Sequence, residues 1–393
     1  MKVLHIYREK NKGDIGGVEN HIQYVAAEQL KLGLIPSILS FSLDTKDSIT
    51  IENKNGIKWF HLTLYQGRIT KLLLQGSNFF SRTGFITAVF ERIFQNYIIK
   101  QKIKVINQIE PDIIHQHDYL SSIRLSIKLS KKHKIIFTNH YGEYLFLKKT
   151  KLTNYIQRSF LNHFDAIIAS SKELLPAMNN CHQIYNGVDI SIFREVSDEE
   201  KSQLKSKLKI EGKIALICAR RWAPTKGIIH LATAINLLDE KIQKKIVLLF
   251  AGNESDDFQK YKLKVQCELD KSSNVDIRYF GNITHDKLSE LINASDIGVI
   301  PSLMEGLSLF SVELISCGIP VLATNVGGIP EIVQNNKNGW LVPPGNALKI
   351  AEEIMKIVQN WPDSNLKFET AEFRRLYSWG GITQQIVNIY NTN

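Results

Sequence analysis

Residues 301–317 read PSLMEGLSLFSVELISC, and the fold follows from this stretch. An apolar run, Ile297 to Ile300, ends just before it and has the length and composition of a buried strand. A short loop carries Glu305 beside Gly306. A largely apolar helix is predicted from about Ser308, with Glu313 set among Phe310, Val312, Leu314 and Ile315. A helix N-terminus after a glycine offers unpaired backbone N–H groups and a partial positive charge, which suits a phosphate. An acid among apolar residues is costly unless it has a partner. Two acids flanking a phosphate-ready helix start suggest a site for a phosphorylated polyol. The same residues also fit a structural loop with one capping and one core-edge glutamate.

Outward from this stretch, strand-like and helix-like segments alternate along the whole chain, the pattern of parallel sheets covered by helices. Strands are predicted at Lys2–Tyr7, Leu34–Phe41, Ile57–His61, Ile113–Gln116, Lys134–Thr138, Ala166–Ala169 and Gln183–Tyr185. After the turn Asn186-Gly187-Val188-Asp189 and a charged stretch, Ser197 to Lys209, the pattern restarts. Further strands are predicted at Lys213–Ala219, Lys245–Ala251, Ile277–Phe280, Ile297–Ile300 and Val321–Ala323. The division is therefore expected at residues 1–195, 196–377 and 378–393. Trp379, Ile382, Ile386 and Ile389 make the last segment amphipathic, able to cross back onto the first domain.

The chain has 393 residues, which favours two domains over one core. Its four cysteines are scattered, with no metal-ligand spacing, and read as reduced thiols in a cytoplasmic protein. Met1 leads directly into a strand-like run, so no signal peptide is expected. No apolar run approaches a bilayer span of roughly 20 residues. A net charge of +10 favours an anionic partner: anionic lipid, nucleic acid or phosphorylated substrate.

Gly13-Asp14-Ile15-Gly16-Gly17 lies between the first strand and the first helix, where glycines let backbone approach a phosphate. It does not match the dinucleotide fingerprint, so a nicotinamide enzyme is not supported. His115 and His117 are expected to part, one to the core and one to the surface, which argues against shared metal ligation. His140 ends the next strand ahead of Gly142, a good position for a ligand. Arg220 and Lys226, after the first strand of the second half, are suited to converge on a diphosphate.

These residues carry a family resemblance over nearly the whole chain. It is similar to the retaining glycosyltransferases of the large GT-B group called family 4. The most specific part is Pro301-Ser302, Glu305-Gly306, then Glu313, Cys317-Gly318-Ile319-Pro320-Val321 and Gly327-Gly328-Ile329-Pro330-Glu331, which resembles the family's E-x7-E signature and the loops after it. Arg220 with Lys226-Gly227, Asn186 to Asp189, Gly16 to Glu19 and Tyr377-Ser378-Trp379 also match. One small departure is Ala219, where the family usually has glycine.

The resemblance implies an α/β GT-B fold, two Rossmann-like doubly wound domains facing a central cleft. The first would bind the acceptor and the second a nucleotide sugar. Arg220 and Lys226 would neutralise the diphosphate. Gly306, Leu307 and Ser308 would assist through backbone N–H groups, and Gly16-Gly17 would close over the phosphates. Glu313 would accept from ribose hydroxyls, Glu305 would hold a sugar hydroxyl, and His140 would donate a hydrogen bond to sugar or acceptor. No cofactor and no metal are expected, since the chain holds no Asp-x-Asp. The expected reaction moves a hexose or N-acetylhexosamine to a glycan or lipid-linked acceptor, in bacterial surface polysaccharide assembly.

Residues 58–109 interleave Lys58, Arg68, Lys71, Arg82, Arg92, Lys100, Lys102 and Lys104 with aromatics that include Phe79, Phe80, Phe85, Phe90, Phe94 and Tyr97, which suits peripheral docking on an anionic membrane surface. A nucleotide-sugar isomerase or epimerase on the same architecture is the alternative, as is a nucleic-acid binder. No nucleic-acid module is found in the sequence, so nucleic acid is not an expected partner.

Overall fold

The structure, a computed structural model, describes residues 1–8, 17–44, 48–65, 99–117, 125, 128–140, 160–252, 258–363 and 366–392. The chain forms two compact units, Met1–Ile184 with Ile382–Asn393, and Tyr185–Gly381. The second unit thus begins earlier than the charged stretch read as the boundary. Asn186 to Asp189 belong to it: the carbonyl of Tyr377 accepts from Val188 N at 2.7 Å, and Val188 bridges Ser378.

In the first unit the strands are β1 (Lys2–Arg8), β2 (Ile35–Asp44), β3 (Ser48–Lys54), β4 (Ile57–Tyr65), β5 (Ile113–Gln116), β6 (Lys134–Asn139), β7 (Ala166–Ala169) and β8 (Cys181–Gln183). Their order is β3-β4-β2-β1-β5-β6-β7-β8. Among the described strands only the β3–β4 pair is antiparallel. Its turn is Asn55-Gly56, both at positive φ, the residues a tight hairpin requires. β3 was not predicted, because every residue of it is exposed and it shows no apolar face. Strand order reverses at β1, which lies between β2 and β5, and ligands bind open α/β sheets at such points.

The second unit holds β9 (Ile214–Ala219), β10 (Ile246–Ala251), β11 (Asp276–Tyr279), β12 (Ile297–Ile300), β13 (Val321–Thr324) and β14 (Gly339–Val342), all parallel, in the order β11-β10-β9-β12-β13-β14. Both faces are covered. Leu216 and Cys218 of β9 pack into one apolar cluster, Ala215 and Ile217 into the other. Burial on both faces explains why these strands read as continuous apolar runs. Gly298 lets the helix Leu309–Ser316 lie close, since a Cβ there would strike the Leu314 side chain. The order reverses between β9 and β12.

The last helix, Trp379–Asn391, buries Trp379, Ile382, Ile386 and Ile389. From Ile382 onward it belongs to the first unit, where Tyr390 is 3% exposed and reaches Gln29 and His115.

Candidate functional site

The second unit assembles its site at the reversal of strand order. Arg220 follows β9 and Glu305 follows β12, its neighbour in the sheet. A backbone contact joins the two loops, Leu303 N donating to the Thr225 carbonyl at 2.8 Å, and Thr324 Oγ1 at the end of β13 donates to the Ser302 carbonyl at 2.5 Å. Gly227 (φ 64°) packs on the Pro301 carbonyl and Gly327 (φ 56°) on that of Glu305, with no room for a Cβ at either. Both backbones are left-handed, which glycine alone adopts without strain.

Around Glu305 the side chains form a buried ionic cluster. Lys226 Nζ lies 2.9 Å from both carboxylate oxygens, Arg220 Nη2 pairs with Oε1, and Ser302 Oγ donates to Oε1 at 2.7 Å. The side chains of Glu305 and Arg220 are 5% and 9% exposed. Charges this far from water are tolerable because each meets an opposite charge. Arg220 also donates from Nη1 to Ser308 Oγ at 3.1 Å, while its buried Nε has no hydrogen-bond partner. Burial pulls the Arg220 guanidinium down to about 10, which leaves it charged at neutral pH.

Ser308 caps the helix Leu309–Ser316, its hydroxyl accepting from Ser311 N. Leu307 and Ser308 are buried. Glu313, on the same helix, stands outside the ionic cluster. Burial pushes its carboxyl up to about 7, against the opposing pull of Arg220. The structure therefore brings together Arg220, Lys226, Glu305 and Ser308, and adds Ser302, which the sequence reading quoted but did not assign.

The first unit collects histidines at its own reversal point. His115 and His117 do not part to core and surface: both are fully buried, and their rings stack at 4.2 Å. Residues two apart on an extended strand share a face. They join His5 of β1, His21 of the helix Gly17–Lys31, and His140 after β6. One ring nitrogen each of His5, His115 and His117, and of His21, His117 and His140, fall within 4.8 Å of one another. Burial lowers His5 to about 4 and His140 to about 3, and drives His115 and His117 well below the usual histidine range, so all four rings are neutral near pH 7. The sequence reading missed this cluster; a polar His5 inside the apolar run KVLHIY is the signal that could have found it.

Gly16 lies outside the described residues, and Gly17 opens the first helix. Residues 66–98, the centre of the basic and aromatic segment, also lie outside them. Lys102 is not a surface cation. It is fully buried, with its ammonium over the Phe41 ring at 3.6 Å, whereas Lys58, Lys100 and Lys104 are exposed. Among the described residues no helix is long and apolar enough to cross a membrane.

Two family profiles match in tandem: Glycosyltransferase Family 4 over residues 15–192 and Glycosyl transferases group 1 over residues 199–373. An uncharacterised glycosyltransferase of Methanocaldococcus jannaschii is 23% identical, with 99% of this chain and 98% of that protein aligned. Sucrose-phosphate synthase from Thermosynechococcus elongatus superposes with a TM-score of 0.76 at 18% identity, covering 99% and 98% of the two chains. Anabaena HepE, solved in complex with UDP and glucose, superposes with a TM-score of 0.72 at 16% identity over the full length of both chains. With the two profiles spanning most of its length and these structures sharing its architecture, the chain belongs to the group 1, family 4 glycosyltransferases of GT-B fold.

Proposed function

We propose that the enzyme transfers a hexose or N-acetylhexosamine from a nucleoside-diphosphate sugar to a glycan or lipid-linked acceptor, with retention at the anomeric carbon. The observation that carries this reading is the convergence of Arg220 and Lys226 on one carboxylate beside a helix start. Two cations that hold a carboxylate in the free protein have the charge and spacing to hold a diphosphate instead. The buried, unpartnered Arg220 Nε is a further donor that a phosphate oxygen would satisfy. Release from the cations would free Glu305 to bind a sugar hydroxyl, and Glu313 would accept from the ribose. Gly306, Leu307, Gly16 and Gly17 are assigned to the phosphates by family resemblance.

As the leaving diphosphate gains charge, Arg220 and Lys226 stabilise it, taking the part a divalent ion plays elsewhere. Retention follows from same-face attack, a donor phosphate oxygen taking the acceptor's proton. The neighbour solved with UDP and glucose supports a nucleotide sugar as donor, with UDP the first base to try. A role in bacterial surface polysaccharide assembly, at the cytoplasmic face of the membrane, rests on family analogy. Thermal-shift binding against UDP-, GDP- and ADP-sugars, with and without EDTA, tests the proposal. Stabilisation by one nucleotide class, unaltered by EDTA, is expected. No response to any of the three would count against a nucleotide-sugar site.

A further inference from the structure

His5, His115, His117 and His140 are joined through Gln29 and Tyr390 into a continuous hydrogen-bond chain that ends at His140. Gln29, buried on the first helix, donates from Nε2 to the Tyr390 hydroxyl at 3.1 Å, and its Oε1 lies 2.9 Å from His5 Nε2. His5 Nδ1 is 3.0 Å from His117 Nε2, and His117 Nδ1 is 3.0 Å from His140 Nε2. On the other branch, the Tyr390 hydroxyl is 2.6 Å from His115 Nδ1, and His115 Nε2 is 2.6 Å from Thr138 Oγ1.

The chain has a direction. A neutral imidazole carries one N–H and one bare nitrogen. Gln29 Oε1 only accepts, so His5 carries its proton on Nε2 and leaves Nδ1 bare. His5 Nδ1 accepts from His117 Nε2–H, which leaves His117 Nδ1 bare. That nitrogen in turn accepts from His140 Nε2–H. The remaining nitrogen of His140, Nδ1, is therefore bare. The second branch agrees: the Tyr390 hydroxyl accepts from Gln29, donates to His115 Nδ1, and His115 Nε2–H donates to Thr138. Each proton is placed by the network.

We propose that Gln29 and Tyr390, acting through His5 and His117, fix His140 in the tautomer that offers Nδ1 to the substrate as a hydrogen-bond acceptor. His140 would then accept a hydrogen bond from a hydroxyl of sugar or acceptor, the reverse of the donating role its family resemblance implied. Gln29, Tyr390, His5 and His117 are positioning residues, and the consequence is specificity. A substrate with a hydroxyl at this point satisfies the nitrogen, whereas a deoxy or fluoro analogue leaves it unpaired. The inference rests on the reading of His140 as substrate-facing. A metal held by His5, His115 and His117 is disfavoured, because both nitrogens of each ring already have the partners named above. Their 3.0 Å spacing is that of N–H···N hydrogen bonds.

Long-range proton–nitrogen spectra of the full-length protein labelled at histidine nitrogens separate the two neutral tautomers. The His140 signal is assigned by its loss in His140→Ala. Wild type at pH 7 is expected to carry the His140 proton on Nε2. Gln29→Leu and Tyr390→Phe are expected to mix the tautomers and to lower kcat about tenfold, the worth of roughly one hydrogen bond, with KM for the donor unchanged. A wild-type His140 protonated on Nδ1 would overturn the proposal even if neither variant folds. So would a tautomer that ignores both substitutions, or ring-nitrogen signals that shift together on addition of Zn²⁺. The spectrum needs no substrate, so failure of the tautomer assignment and failure of the glycosyl-transfer reading are seen separately.

Discussion

Lys226 Nζ sits 2.9 Å from each carboxylate oxygen of Glu305, so one ammonium bridges both oxygens of the first acid in the E-x7-E signature. Arg220 grips the same carboxylate from the other side. The free protein thus satisfies both cations with its own glutamate, and under the proposed function a donor diphosphate would compete with it.

Removing that competitor separates two kinds of affinity. Glu305→Gln is expected to tighten binding of the nucleoside diphosphate alone by up to about tenfold, roughly 1.4 kcal/mol, while turnover of the full donor falls. Titration calorimetry with diphosphate and with nucleotide sugar makes the comparison. Weaker diphosphate binding in the variant would mean that Glu305 supports the anion rather than competing with it.

Arg220→Ala and Lys226→Ala are expected to lower kcat by roughly 100-fold or more, the loss seen when one preorganised charge donor is removed. Arg220→Lys should recover little, because its guanidinium divides between Glu305 and Ser308, which one ammonium does not span. Steady-state kinetics checks both statements.

Gly327→Ala is expected to cost about 1–3 kcal/mol and to abolish donor binding, since the new Cβ would collide with the Glu305 carbonyl at a left-handed position. Gly212→Ala is the control. Its φ of 71° carries similar backbone strain, but nothing lies within 4 Å of its Cβ. Equal loss of donor binding in both would remove the steric explanation.

The buried histidines make stability depend on pH in one direction. Their folded-state pKa values lie below the unfolded value of about 6.5, so the unfolded chain binds more protons in the window between. Stability is therefore complete above pH 6.5 and falls as pH drops from there toward about 4 and 3. For the fully buried His5 the slope reaches at most about 1.4 kcal/mol per pH unit. Urea titrations at pH 7.5, 6, 5 and 4.5 should show a falling midpoint. A flat profile would indicate that these rings take up protons as readily folded as unfolded.

Lys102 and its neighbours on the chain should behave differently. Lys102→Glu places an acid in the buried space beside Phe41 and is expected to cost several kcal/mol. Lys100→Glu with Lys104→Glu, both exposed, should leave stability within about 0.5 kcal/mol. That double variant is the fair probe of membrane docking. Flotation on anionic vesicles should weaken in it, and unchanged flotation would rule these two lysines out as contacts.

Sequence alone determined the alternation of strands and helices, the strands Ile113–Gln116, Ala166–Ala169 and Ile297–Ile300, and the helix start at Ser308. Those features are local, since apolar period, glycine turns and capping residues act within a few positions. Exposed β3 and short β14 were not legible because neither presents a pattern of its own, and both are held by pairing with a neighbouring strand. The candidate residues Arg220, Lys226 and Glu305 were legible as types suited to phosphate and sugar. Tertiary structure decided that these three close on one another, that Lys102 is interior, and that His115 and His117 share a buried chain with Gln29 and Tyr390. Such partnerships join positions up to 361 apart in sequence, which only sheet order and the returning C-terminal helix bring within hydrogen-bond reach.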